Sequence, residues 1–383
     1  MGAADLLLLV ALLLIYHCLS TRRHSKRIAI IGSGPSGLFM AYLLRRQGYN
    51  NITIYGRLED SNVVNADVDG HTFPVGAVYT PIIPMNGLDK IFAQYGARSM
   101  FRFNVLDHMS APRLKPYQLA HDAAAMAANQ GAPLSSLNLY ATPQHFAEAI
   151  ATGYGPWEEM TADKYTILTL LLPTRDWYDT GFAKIFENMR SDLARQGCRF
   201  MGTNIAAVLP NKTVIDKSGA TTGYDSIIIS CDPRRLQSPY SWLVPHLIHT
   251  NFFAAIVKTN SVPPAAPVIH TFDDIGGPVV SALAYPNKQY LYVSGYFDPN
   301  DAAQLATKIE QQMSKQFGPS SVRYIKPIEY NLRYSRAARS AGIPERLKRL
   351  NGRNDIWFAT GTLLSRWNVI GSYFAAKSVA KKV

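Results

Sequence analysis

The chain has 383 residues, of which 47% are hydrophobic and 17% charged. That is length for about two or three domains, and it is too apolar for a disordered chain. Lys+Arg number 39 and Asp+Glu 27, a net charge of +12 that favours anionic partners. Cys18, Cys198 and Cys231 are too scattered for a disulfide framework or a zinc site. There is no Walker A loop, HExxH or CxxC, so the signatures of P-loop phosphoryl transfer and zinc proteolysis are missing.

Residues 6–19 read LLLLVALLLIYHCL and are followed by Arg22, Arg23, Lys26 and Arg27. Positive charge after the apolar run keeps that flank cytoplasmic. The expectation is a membrane anchor and basic flank over residues 1–27, with the body facing the cytosol. Spanning needs about 20 apolar residues, and this run suits a thin membrane such as the endoplasmic reticulum. A signal peptide or a buried helix are the alternatives. The sequons at Asn51 and Asn211 carry no weight for a cytosolic body.

Ile28, Ile30 and Ile31 form a short apolar strand. Gly32-Ser33-Gly34-Pro35-Ser36-Gly37 comes next, a full GxGxxG, and then a helix with Leu38, Ala41, Tyr42 and Leu44 on one face, ended at Gly48. Residues 51–55 are the next strand. In this context Gly32 permits the tight turn, Gly34 admits a pyrophosphate, and Gly37 lets helix and strand close up. The second strand should end in an acid for the ribose hydroxyls, but Gly56 stands there. Glu59 or Asp60 could reach back, or Arg57 could meet a 2′-phosphate, which keeps NADPH as a rival ligand.

Further along, residues 88–95, 119–130 and 145–155 read as helices. Residues 249–300 alternate as strands: NFFAAIVKTN, APVIHTF, PVVSALAY and QYLYVSGYF. Residues 301–317 read as a helix. The basic stretch 331–353 is a solvated face, a membrane-facing surface or a guide for a carboxylate substrate. No aromatic-interleaved module points to nucleic acid.

Three segments carry a family resemblance. Residues 68–77, VDGHTFPVGA, resemble the hairpin of flavin amine oxidases that ends in a glycine beside the flavin. Residues 181–237 resemble the family's helix, strand, β-meander and buried returning strand, with Ile205 to Val208 as the adenine-facing strand end. Residues 356–361, IWFATG, and the helix after Arg366 resemble its closing strand, glycine and flavin-facing helix. The chain is identified as a member of the flavin-dependent amine oxidase-like superfamily. The tail and residues 153–171 are most similar to its polyenoic fatty acid isomerase-like branch.

The resemblance implies an α/β fold with a discontinuous Rossmann-type FAD domain at 28–80, 183–237 and 350–383. An α+β substrate domain, an antiparallel sheet plus helices, would occupy 81–182 and 238–349. It implies FAD contacts from Gly32, Gly34, Pro35, Ser36, Gly37, Arg57, Gly76, Ala77, Val208, Gly361 and Val369. No Cys stands among Thr362 to Ser365, so the flavin would be noncovalent. Lys258 is the one candidate for the lysine that many amine oxidases place near flavin N5; the plainer reading is a solvated strand-end lysine. Tyr79, Tyr330, Tyr334 and Tyr373 would fall near the flavin or in ordinary core. The expected activity is an FAD-dependent oxidoreductase taking a hydride from a lipophilic small molecule. A fatty acid double-bond isomerase, an NADPH-dependent reductase and a non-catalytic scaffold are the alternatives. No catalytic acid or base is assigned, because hydride transfer to a flavin requires none.

Overall fold

The computed structural model describes residues 25–76, 79–81, 87–96, 99–104, 113–146, 157, 160–162, 166–167, 171, 174–178, 181–261, 268–271, 277–285, 288–361 and 369–383. They fall into two compact units, one within Met1–Ser61, Phe186–His246 and Gly342–Val383, the other within Asn62–Ile185 and Leu247–Ala341. Most of the expected anchor, residues 1–24, lies outside the described residues. Among the described residues no helix is long and apolar enough to cross a membrane.

The first unit is built on β1 (Arg27–Ile31), α1 (Pro35–Arg46) and β2 (Asn51–Tyr55). Ile28 to Ile31 and Ile52 to Tyr55 are buried along their whole length, as strands covered on both faces must be. Three more strands join them: β8 (Arg199–Met201), β12 (Ser226–Ile229) and β18 (Ile356–Phe358). The five-stranded sheet has the order β18-β12-β1-β2-β8 and is parallel throughout. A meander of β9 (Ile205–Val208), β10 (Thr213–Asp216) and β11 (Thr221–Gly223) leads into β12. Helix α8 (Val369–Ala380) is buried nearly all round and packs on α1, with Phe39 edge-on to Tyr373 at 5.4 Å. The outer edge of β18 is closed by a side chain acting as a strand. Phe358 N donates to Asn351 Oδ1 at 2.7 Å, and Asn351 Nδ2 donates to the Phe358 carbonyl at 3.0 Å.

The second unit carries an antiparallel sheet made of β13 (Leu247–Thr259), β14 (Val268–Thr271), β15 (Val279–Ala284), β16 (Tyr290–Tyr296) and β17 (Ser320–Tyr334). Their order is β14-β15-β16-β13-β17. Strand β13 alternates two apolar sets. Phe253, Ala255 and Val257 face helix α5 (Leu305–Phe317) through Ile309 and Met313. Ala254 and Ile256 face the hairpin β3 (Val63–Val68) and β4 (His71–Gly76) through Phe73 and Val75. A period of two divides the strand between both covers.

The expected boundaries and those observed differ. The hairpin, expected with the nucleotide domain, lies in the second unit because its apolar face packs on β13 and β16. Residues 238–246 and 342–349 lie in the first unit. Strand β17 was not expected, since Pro327 interrupts its alternation. It is an edge strand, where a missing N–H is tolerated. The helix expected at 119–130 starts earlier, at Pro116, and ends at Ala128; the one expected at 145–155 lies largely outside the described residues.

Candidate functional site

Ile31, Tyr55, Ile229 and Phe358 stand level in register, so β1, β2, β12 and β18 end together. The residues just past these four strand ends share one edge of the sheet. Gly32 has φ +116°, and its N–H donates to the Tyr55 carbonyl at 2.9 Å. A Cβ there would lie 2.9 Å from Ser230 Oγ. The Ser230 hydroxyl locks the turn by donating to the carbonyls of Ile31 and Gly32, both at 3.0 Å. A Cβ on Gly37 would lie 1.8 Å from the Gly32 carbonyl oxygen, so α1 could not approach β1 with any side chain there.

Gly34 differs from both. Its backbone is extended, and the nearest atom to a Cβ there is Ser61 Cβ at 3.5 Å. Its bareness leaves the turn open rather than relieving a clash within the chain. The first turn of α1 has Pro35 at its start, no acidic residue and no side-chain cap. A helix start with its amides uncapped presents partial positive charge to an anion. Two buried hydroxyls on this edge, Ser33 Oγ and Thr360 Oγ1, have no hydrogen-bond partner among the described residues. Gly56 has φ +102°, and a Cβ there would lie 3.5 Å from Ser33 Oγ. The place of the expected acid is therefore beside an unused hydroxyl. Uncapped helix start, open glycine and unused hydroxyls fit the phosphates and ribose of a dinucleotide.

Residues 30–84 match the family described as NAD(P)-binding Rossmann-like domain. A CLA-producing fatty acid isomerase from P. acnes is 15% identical, with a TM-score of 0.72 over 94% of this chain and 99% of that one. Putrescine oxidase bound to putrescine is 11% identical, with a TM-score of 0.66 over 93% and 98%. Reduced UDP-galactopyranose mutase is 13% identical, with a TM-score of 0.64 over 93% of each chain. No curated protein sequence matches the chain. The chain shares the fold of these solved structures.

Of the residues expected to meet a flavin dinucleotide, the turn Gly32 to Gly37 stands at the carboxyl edge, and Gly361, also buried, comes after β18. Val369 begins α8 and is buried. Val208 ends β9, buried, its N–H donating to the Gln237 carbonyl at 2.8 Å. Arg57 is exposed, and its Nε lies 3.3 Å from Asp60. Gly76 sits in the second unit with φ +92°, where a Cβ would lie 2.1 Å from the Asn62 carbonyl oxygen; its own carbonyl accepts from Tyr292 at 3.1 Å. Its local cause is hairpin closure. Ala77 and Thr362 to Ser365 lie outside the described residues.

Lys258 is accounted for by its neighbours. Its Nζ lies 3.3 Å from Asp69 and 5.6 Å from the Tyr290 ring centre. Asp69 also accepts from the Tyr290 hydroxyl at 2.7 Å, and that bond, then Lys258, holds its carboxyl below the usual range. This is an exposed ion pair at the hairpin tip. Tyr334 and Tyr373 are core residues, Tyr330 packs on Phe252, and the side chain of Tyr79 is outside the described set. Sequence reasoning missed Ser230, Ser33 and Thr360. The only signal for Ser230 and Thr360 was a hydroxyl residue within two positions of the end of each buried strand.

Proposed function

We propose that the chain is an FAD-dependent oxidoreductase that takes a hydride from a lipophilic substrate at flavin N5. The observation that carries the reading is the return of the chain to its first strand and helix. Strand β18, Gly361 and α8 complete the sheet and pack on α1. A nucleotide domain assembled from both ends of the chain is what the resemblance to flavin amine oxidases implies. When bound, FAD supplies the hydride acceptor. This chain's residues then bind and orient it. The bare Gly34 and the start of α1 take the diphosphate, and the Ser33 hydroxyl stands where the missing acid at Gly56 would reach the ribose. Thr360 and Gly361 shape the second approach. Binding is noncovalent, since residues 362–365 contain no Cys.

A second reading, a double-bond isomerase of unsaturated fatty acids, is favoured by the likeness to the fatty acid isomerase. It differs only in returning the hydride to another carbon of the same molecule. Residues 6–19 are proposed as a membrane anchor, most consistent with the endoplasmic reticulum and a cytosolic body.

The test is the visible spectrum of the purified full chain before and after denaturation. Flavin absorbance released on unfolding is expected, followed by anaerobic bleaching with candidate lipids. Absorbance that stays with the chain would mean a covalent link. A colourless chain that resists FAD reconstitution but binds NADPH would sink the reading.

A further inference from the structure

The amino end of the parallel sheet gathers cations from distant stretches of sequence. Lys26 Nζ donates to a carboxylate oxygen of Val383 at 3.1 Å and lies 3.6 Å from Asp355. Lys212 Nζ lies 3.9 Å from the other oxygen of the same carboxylate. Exposed Lys381 and Lys382 directly precede Val383. Two residues before Asp355, exposed Arg353 lines a cleft of about 290 Å³. Arg346 also lines it, its guanidinium 4.4 Å from the Trp242 ring centre. Arg346 belongs to α7 (Ile343–Leu350), which buries Ile343 and Leu347 and exposes Lys348 and Arg349. Pro210 and Leu350 add apolar wall to the cleft. The acids interleaved with this set, Asp225, Glu345 and Asp355, are fewer than the cations.

A cleft with apolar walls and two guanidiniums, set in a cationic face, matches one chemistry well. Guanidinium pairs hold phosphate, and a half-buried tryptophan suits the headgroup level of a bilayer. The position of the face names the occupant. The apolar run 6–19 lies shortly before Lys26 in sequence. We propose that this amino-end face lies on an anionic bilayer, with lipid phosphate held between Arg346 and Arg353 and Trp242 at the headgroups. The proposal rests on the membrane attachment put forward above. It adds a second, electrostatic contact that selects anionic lipid.

The test is flotation of the full chain with vesicles of phosphatidylcholine alone and with added phosphatidylserine. The apolar run partitions into both, so the difference between them reads the face. Wild type should prefer the anionic vesicles by about fivefold for each basic residue at the surface, and the preference should fade with salt. Arg346→Glu with Arg353→Glu should lose most of it. Lys381→Gln with Lys382→Gln, both at exposed positions, should lose part of it without touching the core. Flavin content, set at the other end of the sheet, should not change in either variant. Equal binding of wild type to both vesicle types overturns the face while leaving the anchor standing. Binding to neither removes the anchor, and the face with it. Duplex DNA binding in place of any lipid preference would assign the cations to nucleic acid and overturn the proposal.

Discussion

At the carboxyl end of the parallel sheet the strands run out into glycine and hydroxyl residues: Gly32 and Ser33, Gly56, Ser230, Thr360. At the amino end they begin at charge: Lys26 and Arg27, Asp225, Asp355. Chain direction explains both. In a strand–helix–strand unit the helix starts where the strand ends, so α1 opens at the carboxyl edge with its amides uncapped. An anion there is met by backbone, and side chains are an obstruction. The helices end at the opposite edge, where their partial negative charge favours cations. Arg45 and Arg46 close α1, and Lys377 stands in the last turn of α8. One end thus presents main-chain groups, the other charged side chains.

Substitution at the two ends should separate these roles. The largest effect is expected from Gly37→Ala. Its Cβ meets the Gly32 carbonyl at 1.8 Å, backbone that cannot step aside. Overpacking of this kind costs about 1–3 kcal/mol. The melting temperature should fall and copurified dinucleotide should vanish. Asn351→Ala comes next and acts on the outer edge of β18. It leaves the Phe358 N–H and carbonyl unpaired, which costs about 1–3 kcal/mol for a buried group. Chemical denaturation should show a lower midpoint. Dinucleotide content per folded chain that stays constant would confirm that this edge serves the fold.

Ser33→Ala should do the reverse. Its hydroxyl has no partner among the described residues, so the folding midpoint should hold or rise slightly. The dissociation constant for the dinucleotide should rise by about three- to tenfold, the worth of one neutral hydrogen bond. Unchanged affinity would remove Ser33 from the ribose contact.

The smallest effect is one of pH. Burial pushes the Cys198 thiol up to about 11 and the Tyr240 phenol up to about 12. Burial pushes the Cys231 thiol up to about 12, with the Asp232 carboxylate acting in the same direction. Each group is held neutral in the fold and ionises more readily once unfolded. Their stabilisation is complete below about pH 9 and is lost as pH rises through 11 to 12. Thermal midpoints should be flat from neutral pH to about 9 and then fall. At pH 8, the buried Cys198 should resist alkylation until the chain is denatured.

The residues of the nucleotide turn were legible because they are contiguous. GSGPSG between an isoleucine strand and an amphipathic helix fixes its own geometry through local sterics. Strand β13 was legible for a similar reason, since its flanks declare where it stops. Other features required distant residues to meet. Strand β17 was not read from the sequence; it stands at the sheet edge, where Pro327 is tolerated. The partner of Lys258, read as a solvated strand-end lysine, is Asp69, 189 positions away.

The sequence by itself determined the dinucleotide turn, the alternation of the antiparallel strands and the excess of positive charge. These depend on neighbours in the chain, where φ/ψ limits and side-chain periodicity act directly. Only the tertiary structure decided that Ser230 locks that turn and that the hairpin joins the second unit. Only it placed Lys26, Lys212 and Arg353 around one carboxylate group or beside it. Those facts depend on sheet register and on which face packs where, and register couples residues hundreds of positions apart.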